Sequence, residues 1–142
     1  MNQVRPPLQI GDIARADFRT SFVADAENSR IQKTLELPYR YQPARLALSL
    51  SLAQPTPPAP ITDSGGRPIR GDTLFGQDEA DLTLWVALVV EHSGVVGLTR
   101  REFQDVVAAH WARGMAALSR TEKSSSSIED AFAQLISDAP SR

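Results

Sequence analysis

Side-chain chemistry needs either a nucleophile with a base in hydrogen-bond reach or several ligands converging on a metal. The histidines of this chain are His92 and His110, and it has no cysteine. That excludes a thiolate nucleophile, an iron–sulfur site, a disulfide framework and a zinc finger together. Neither histidine has a second metal ligand at helical spacing. His92 falls at a helix end and His110 on an apolar helical face beside Trp111, so both read as structural. Asp78, Glu79 and Asp81 have the placement of acids in a first helical turn and not of a calcium loop. The glycines at 65, 66, 71 and 76 match no phosphate-loop or dinucleotide spacing. No catalytic residue, metal or cofactor is expected, and the chain does not read as an enzyme.

What remains is cationic. Arg30, Lys33, Arg40 and Arg45, with Tyr39 and Tyr41 between them, cluster at a joint between two helices, where guanidinium groups and rings can meet a sugar-phosphate backbone. Arg67 and Arg70 stand on a glycine-flanked loop ahead of Asp72. They suit a phosphate grip or, equally, an internal salt bridge. Arg100 and Arg101 near a helix amino end offer a third phosphate position. Solvated helix faces carry such charges without any ligand, so each group has a purely structural reading beside the functional one.

The elements that must position these residues are mostly helices. Gln9–Phe18 reads as a short strand or an irregular lead. After it Phe18, Phe22, Val23, Ala26, Ile31 and Leu35 mark the inward stripe of a four-turn helix, with Arg19, Asp25, Glu27, Arg30 and Lys33 mostly off it. Pro38 stops that helix. The run from Pro43 to Ala53 alternates leucine with serine or alanine, yet it lacks β-branched residues and is rich in helix formers, so a second helix is expected. Gln54–Pro60, with four prolines, must be extended, and Gly65-Gly66 suits a small hairpin or an Ω-like loop. Leu82, Trp85, Val86, Val89 and Val90 mark a third helix. Thr99 and Glu102 have capping-box spacing ahead of a fourth helix carrying Phe103, Val106, Val107, His110, Trp111 and Leu118. A short last helix would place Ile128, Phe132, Leu135 and Ile136 inward, with Ser127 and Asp130 at its cap.

The expectation is a mainly α, compact domain of about five helices spanning residues 1–142. Residues 13–53 carry the first two helices, 54–77 form a proline- and glycine-rich loop with a short extended or hairpin insertion, 78–136 are helical, and 137–142 form a tail. A formal net charge of −2 argues against coating nucleic acid by bulk electrostatics, so a basic face must be gathered by the fold. The longest apolar stretch, Leu82–Val90, is too short to span a bilayer and no signal-peptide run is present. A cytoplasmic location without membrane contact is expected.

The order of these elements, with Ala44-Arg45-Leu46-Ala47-Leu48-Ser49-Leu50-Ser51-Leu52 after an early helix and Gly71–Gly76 leading into Leu84–Leu88, resembles the DndE family of DNA sulfur-modification proteins. Phe103–Leu118 resembles that family's carboxyl-terminal helix, and the likeness runs over roughly residues 13–118. The resemblance implies a non-catalytic helical subunit, ribbon-helix-helix-like over residues 13–53, that self-associates and binds duplex or nicked DNA. It implies partners too: a cysteine desulfurase and ATP-dependent enzymes that place sulfur in the DNA backbone. The chain departs from the family in its Gly65-Gly66 stretch and its poverty in lysine, so DNA contacts fall to arginines by position. Two alternatives stand beside this reading. One is a helical scaffold for protein partners in an anti-phage defence complex. The other is a ribbon-helix-helix repressor reading DNA through Gln9, Asp12 and Arg15 on a paired strand.

Overall fold

The computed structural model describes residues 8–124, 130, 133, 134, 136 and 137. Its elements, in chain order, are α1 (Ile10–Arg15), β1 (Asp17–Phe18), α2 (Phe22–Thr34), α3 (Tyr41–Leu52), β2 (Ile69–Arg70), α4 (Gly71–Leu74), α5 (Glu79–Ser93) and α6 (Arg100–Lys123). The molecule is mainly α, as expected, with one two-stranded pairing among the described residues.

The long helix α6 is the axis on which the rest is assembled. Its stripe of Phe103, Val107, His110, Trp111, Gly114, Met115 and Leu118 repeats at three and four residues and is buried along its whole length. The Thr99 hydroxyl accepts from the Glu102 amide and the Glu102 carboxylate accepts from the Thr99 amide, closing the capping box. Helix α3 packs on α6 through Pro43, Ala44, Ala47, Leu48 and Ser51, whose spacing is helical despite the alternating leucines. The leucines that made the run look strand-like, Leu46, Leu50 and Leu52, are half-buried on its flanks. Gly114 sits over the Ala47 carbonyl, where any side chain would overlap it, so the two backbones touch.

Helix α2 lies on another side of α6. The Thr20 hydroxyl donates to the Ala108 carbonyl, the Ser119 hydroxyl donates to Glu27 and Arg30 donates to Glu122, so residue numbers rise together and α2 and α6 run the same way. The helix ends on Glu36 at φ 55°, with the Leu37 amide donating to the Gln32 carbonyl and the Glu36 amide to Lys33. This Schellman geometry closes the helix before Pro38 can interrupt it. The inward face of α2 is Ala24, Asp25, Asn28 and Ile31. The expected stripe is therefore corrected: Phe22, Val23 and Ala26 are exposed, and Asp25 and Asn28 are buried with partners of their own.

Two expectations about extended segments also change. Residues 10–15 are helical, and Gln9, Asp12 and Arg15 lie at the cap and on the surface of α1 with no strand beneath them. The ribbon required by a repressor of the ribbon-helix-helix kind is absent from this stretch. The Gly65-Gly66 loop makes no local hairpin either. It folds back so that 66–71 runs antiparallel to 16–20, with Gly66 bonding Thr20, Ile69 opposite Phe18, Arg70 opposite Asp17, and Gly71 bonding Ala16. Gly66 is pressed against the Thr20 carbonyl and Asp25, which only a residue without Cβ permits. Phe18 meets Phe75 and Phe103 edge to face, Phe75 lies tilted against Phe103, and the three rings fuse this pairing to α6.

Of the expected last helix, Ile128, Phe132, Leu135 and Ser127 lie outside the described residues. Ile136 is helical but exposed, not inward.

Candidate nucleic-acid interface

The cations named from sequence separate into two kinds once their partners are known. Arg40, Arg45 and Arg30 hold the fold together. Arg40 donates 2.7 Å to Asp25 and also to the Pro68 and Arg67 carbonyls, tying the α2–α3 joint to the 66–71 segment. Arg45 lies over the Tyr41 ring at 4.2 Å and donates to the carbonyls of Leu74 and Thr73, the last of α4, which have no partner within so short a helix. Tyr39 stacks on Tyr41 at 5.4 Å. Arg30 binds Glu27 and Glu122 at 2.8 Å and Ser119, joining α2 to α6. The Arg30 bond holds Glu27 below its ordinary range, and Glu27 in turn raises Arg30.

The others project. Arg67 is 61% exposed, with Nε on Asp25 at 3.3 Å and Nη2 on the Ser29 hydroxyl. Lys33 is exposed one turn beyond Ser29 on α2 and pairs with no described residue. Arg101 is 87% exposed and held loosely to Asp105 at 3.8 Å, and Arg100 is exposed beside it. Arg70 contacts Asp72 and the Ala14 carbonyl. At the amino end of α6, the capping box already occupies the Thr99 and Glu102 amides. Arg100 and Arg101 therefore act there as side chains and not as part of a helix-end anion cradle.

Two residues passed over by the sequence reading organise these cations. Asp25 is the first. Burial alone raises its pKa, but the Arg67 amide, the Arg40 and Arg67 side chains and the Arg40 charge outweigh it and hold Asp25 below the ordinary carboxylate range. Its spacing on α2 looked solvated, and only the return of the 66–71 segment, distant in sequence, buries it. Arg19 is the second. It donates 3.1 Å to the Gly66 carbonyl and lines, with Arg101, an open groove of about 480 Å³ that Thr62, Ser64 and Gln104 also line.

A run of contacts therefore links the exposed cations. Arg101 and Arg19 flank one groove, Arg19 grips Gly66, the next residue Arg67 reaches Ser29, and Lys33 follows Ser29 by one turn. The groove also holds Asp17, Asp63 and Asp105. Asp63 is spent on the Phe22 and Gly65 amides, which lower its pKa, and Asp105 faces Arg101. Among the described residues no group of three or more histidine, aspartate or glutamate side chains is placed to hold a metal ion, and no helix is long and apolar enough to cross a membrane.

Fold and surface together define a mainly helical protein built on α6, in which Arg101, Arg19, Arg67 and Lys33 are exposed and joined by that run of contacts. The family model of DNA sulphur modification protein DndE matches residues 18–126, from β1 through the end of α6, and the chain belongs to that family. It is accordingly an accessory protein of a DNA sulfur-modification system. No curated protein matches the chain.

Proposed function

We propose that the chain is a non-catalytic subunit that engages duplex or nicked DNA for the sulfur-modification machinery. The observation that carries this reading is the run of contacts that links Arg101, Arg19, Arg67 and Lys33. Guanidinium and ammonium groups in a row meet successive phosphates without reading bases, which suits a subunit that positions DNA for partner enzymes. Thr62, Ser64 and Gln104 add neutral donors in the same groove. Arg70, opposite Asp17, and Arg100, next to Arg101 in the chain, are further exposed cations available to the same DNA. Arg30, Arg40 and Arg45 support it from within, since their guanidinium groups are occupied by the fold. The test compares binding of intact, nicked and single-stranded DNA by the wild type and by Lys33→Glu with Arg101→Glu. A tenfold or greater loss of duplex affinity, with unchanged unfolding, is expected; undiminished affinity would remove this surface from the account.

A second reading, a scaffold for protein partners or further copies of the chain, is favoured by a separate feature. Leu84 and Leu88 on the outer face of α5, with Val95 and Val96 after it, are exposed, Val96 at 98%. The two readings concern different faces and are compatible. If the scaffold alone is correct, Leu84→Glu with Leu88→Glu abolishes complex formation while DNA affinity is negligible at every salt concentration.

A further inference from the structure

The segment Gln54–Pro60 serves neither the cations proposed to meet DNA nor the outer face of α5. Every residue of it is a proline or stands directly before one. Proline fixes its own φ and keeps its predecessor out of the helical region, so the whole segment is steered into the polyproline conformation. That conformation repeats every third residue, which puts Pro57 and Pro60 on one edge and Pro55 and Pro58 on another. Pro57 and Pro60 are both exposed, whereas Pro58 is half-buried, so the first edge is the one offered to solvent.

The fold holds this segment near its ends and leaves its middle free. His92 Nε2 donates to the Gln54 carbonyl at 2.6 Å, and Arg113 donates to the Thr56 carbonyl at 2.8 Å. Past the last proline, the Asp63 carboxylate accepts from the Phe22 and Gly65 amides. Between these anchors the carbonyls of Pro57, Pro58, Ala59 and Pro60 accept no hydrogen bond from the described residues. Pro57 and Pro60 also border a recess of about 250 Å³ that Leu98, Val106 and Ala109 line, so space remains beside their rings. A cavity of about 150 Å³ is enough to receive a benzene ring.

Exposed proline rings with free carbonyls between them are what an aromatic-lined groove recognises. The rings pack on aromatic faces, and the carbonyls accept from indole or phenol donors. Because the segment is already extended and anchored, little ordering entropy opposes docking. We propose that Gln54–Pro60 is the docking segment for a partner subunit of the modification machinery that carries an aromatic-lined groove, with Pro57 and Pro60 seated on its aromatic side chains. This proposal does not depend on DNA binding.

The experiment has two arms. In the first, an SH3 domain selected from a displayed library for binding a free peptide of residues 53–62 is titrated with that peptide and with the full chain. The full chain should bind about tenfold more tightly, because the fold has already ordered the segment. Pro57→Ala with Pro60→Ala should weaken binding at least about tenfold, and Pro55→Ala less than about threefold. Thermal unfolding should not change, since Pro57 and Pro60 are exposed. A full chain that binds more weakly than the peptide overturns the proposal. In the second arm, each purified protein of the sulfur-modification system is titrated with the wild type and with the double variant. At least one should lose about tenfold in affinity for the variant, while duplex DNA affinity is unchanged. Partners that all fail to bind or ignore the double substitution, or a loss confined to DNA affinity, would overturn it. Should the double variant not fold, the comparison of peptide with full chain decides alone.

Discussion

Asp25 serves two arginines at once, so its charge matters to more than one element. Asp25→Asn leaves Arg40 part-buried with its main counter-charge gone, a loss expected to cost about 2–3 kcal/mol, measured as a fall in the urea midpoint at pH 7. Because the folded pKa of Asp25 is lowered, its contribution is present above the unfolded carboxylate pKa of 3.8 and disappears as pH falls through the lower folded value. The acid limb below pH 4 should therefore flatten in Asp25→Asn.

His110 titrates in a different window. Burial lowers its pKa to about 4, helped by the His92 and Arg113 charges. Between 6.5 and 4 the unfolded chain binds a proton that the folded chain refuses, so stability is full above pH 6.5 and drains as pH falls toward 4, by up to about 3 kcal/mol. Urea unfolding of the wild type should show that decline, and His110→Gln should lack it. An unchanged slope in the variant would mean that His110 is protonated in the folded protein.

At the scale of elements, the end of α2 and the crossing of α3 with α6 make opposite predictions. Glu36 holds a left-handed conformation that costs a residue with a Cβ about 1 kcal/mol, so Glu36→Gly should raise stability by about that much. Gly114→Ala forces a methyl group into the Ala47 carbonyl, and α3 must move off α6. A loss of several kcal/mol or failure to fold is expected, read by thermal unfolding.

The same elements show what the sequence could and could not reveal. Helix α6, its capping box and the helical reading of Pro43–Ala53 were legible, because apolar period and cap chemistry are local properties. The fate of Gln9–Phe18 and of the glycine loop was not, since β1 and β2 exist through pairing of residues more than fifty positions apart. For the same reason Asp25 looked solvated and Arg40 and Arg45 looked free. Their partners, Arg67, Pro68, Thr73 and Leu74, come from a segment whose path no local pattern dictates. Lys33, Arg67 and Arg101 were named from sequence and are exposed, whereas Arg19 was missed because a lone arginine before a helix carries no spacing signal.

At the scale of the whole molecule, a chain of net charge −2 cannot hold a polyanion by its total field. If it binds DNA as proposed, it does so through a few local contacts, and counterion release counts them. The measurement is fluorescence anisotropy of a labelled nicked duplex titrated with the protein from about 50 to 300 mM salt. With about four phosphate contacts the logarithm of the binding constant should fall with the logarithm of salt at a slope of about −3 to −4, and Lys33→Gln and Arg101→Gln should each reduce that slope by about 1. A binding constant indifferent to salt, or a slope untouched by both substitutions, would contradict the account.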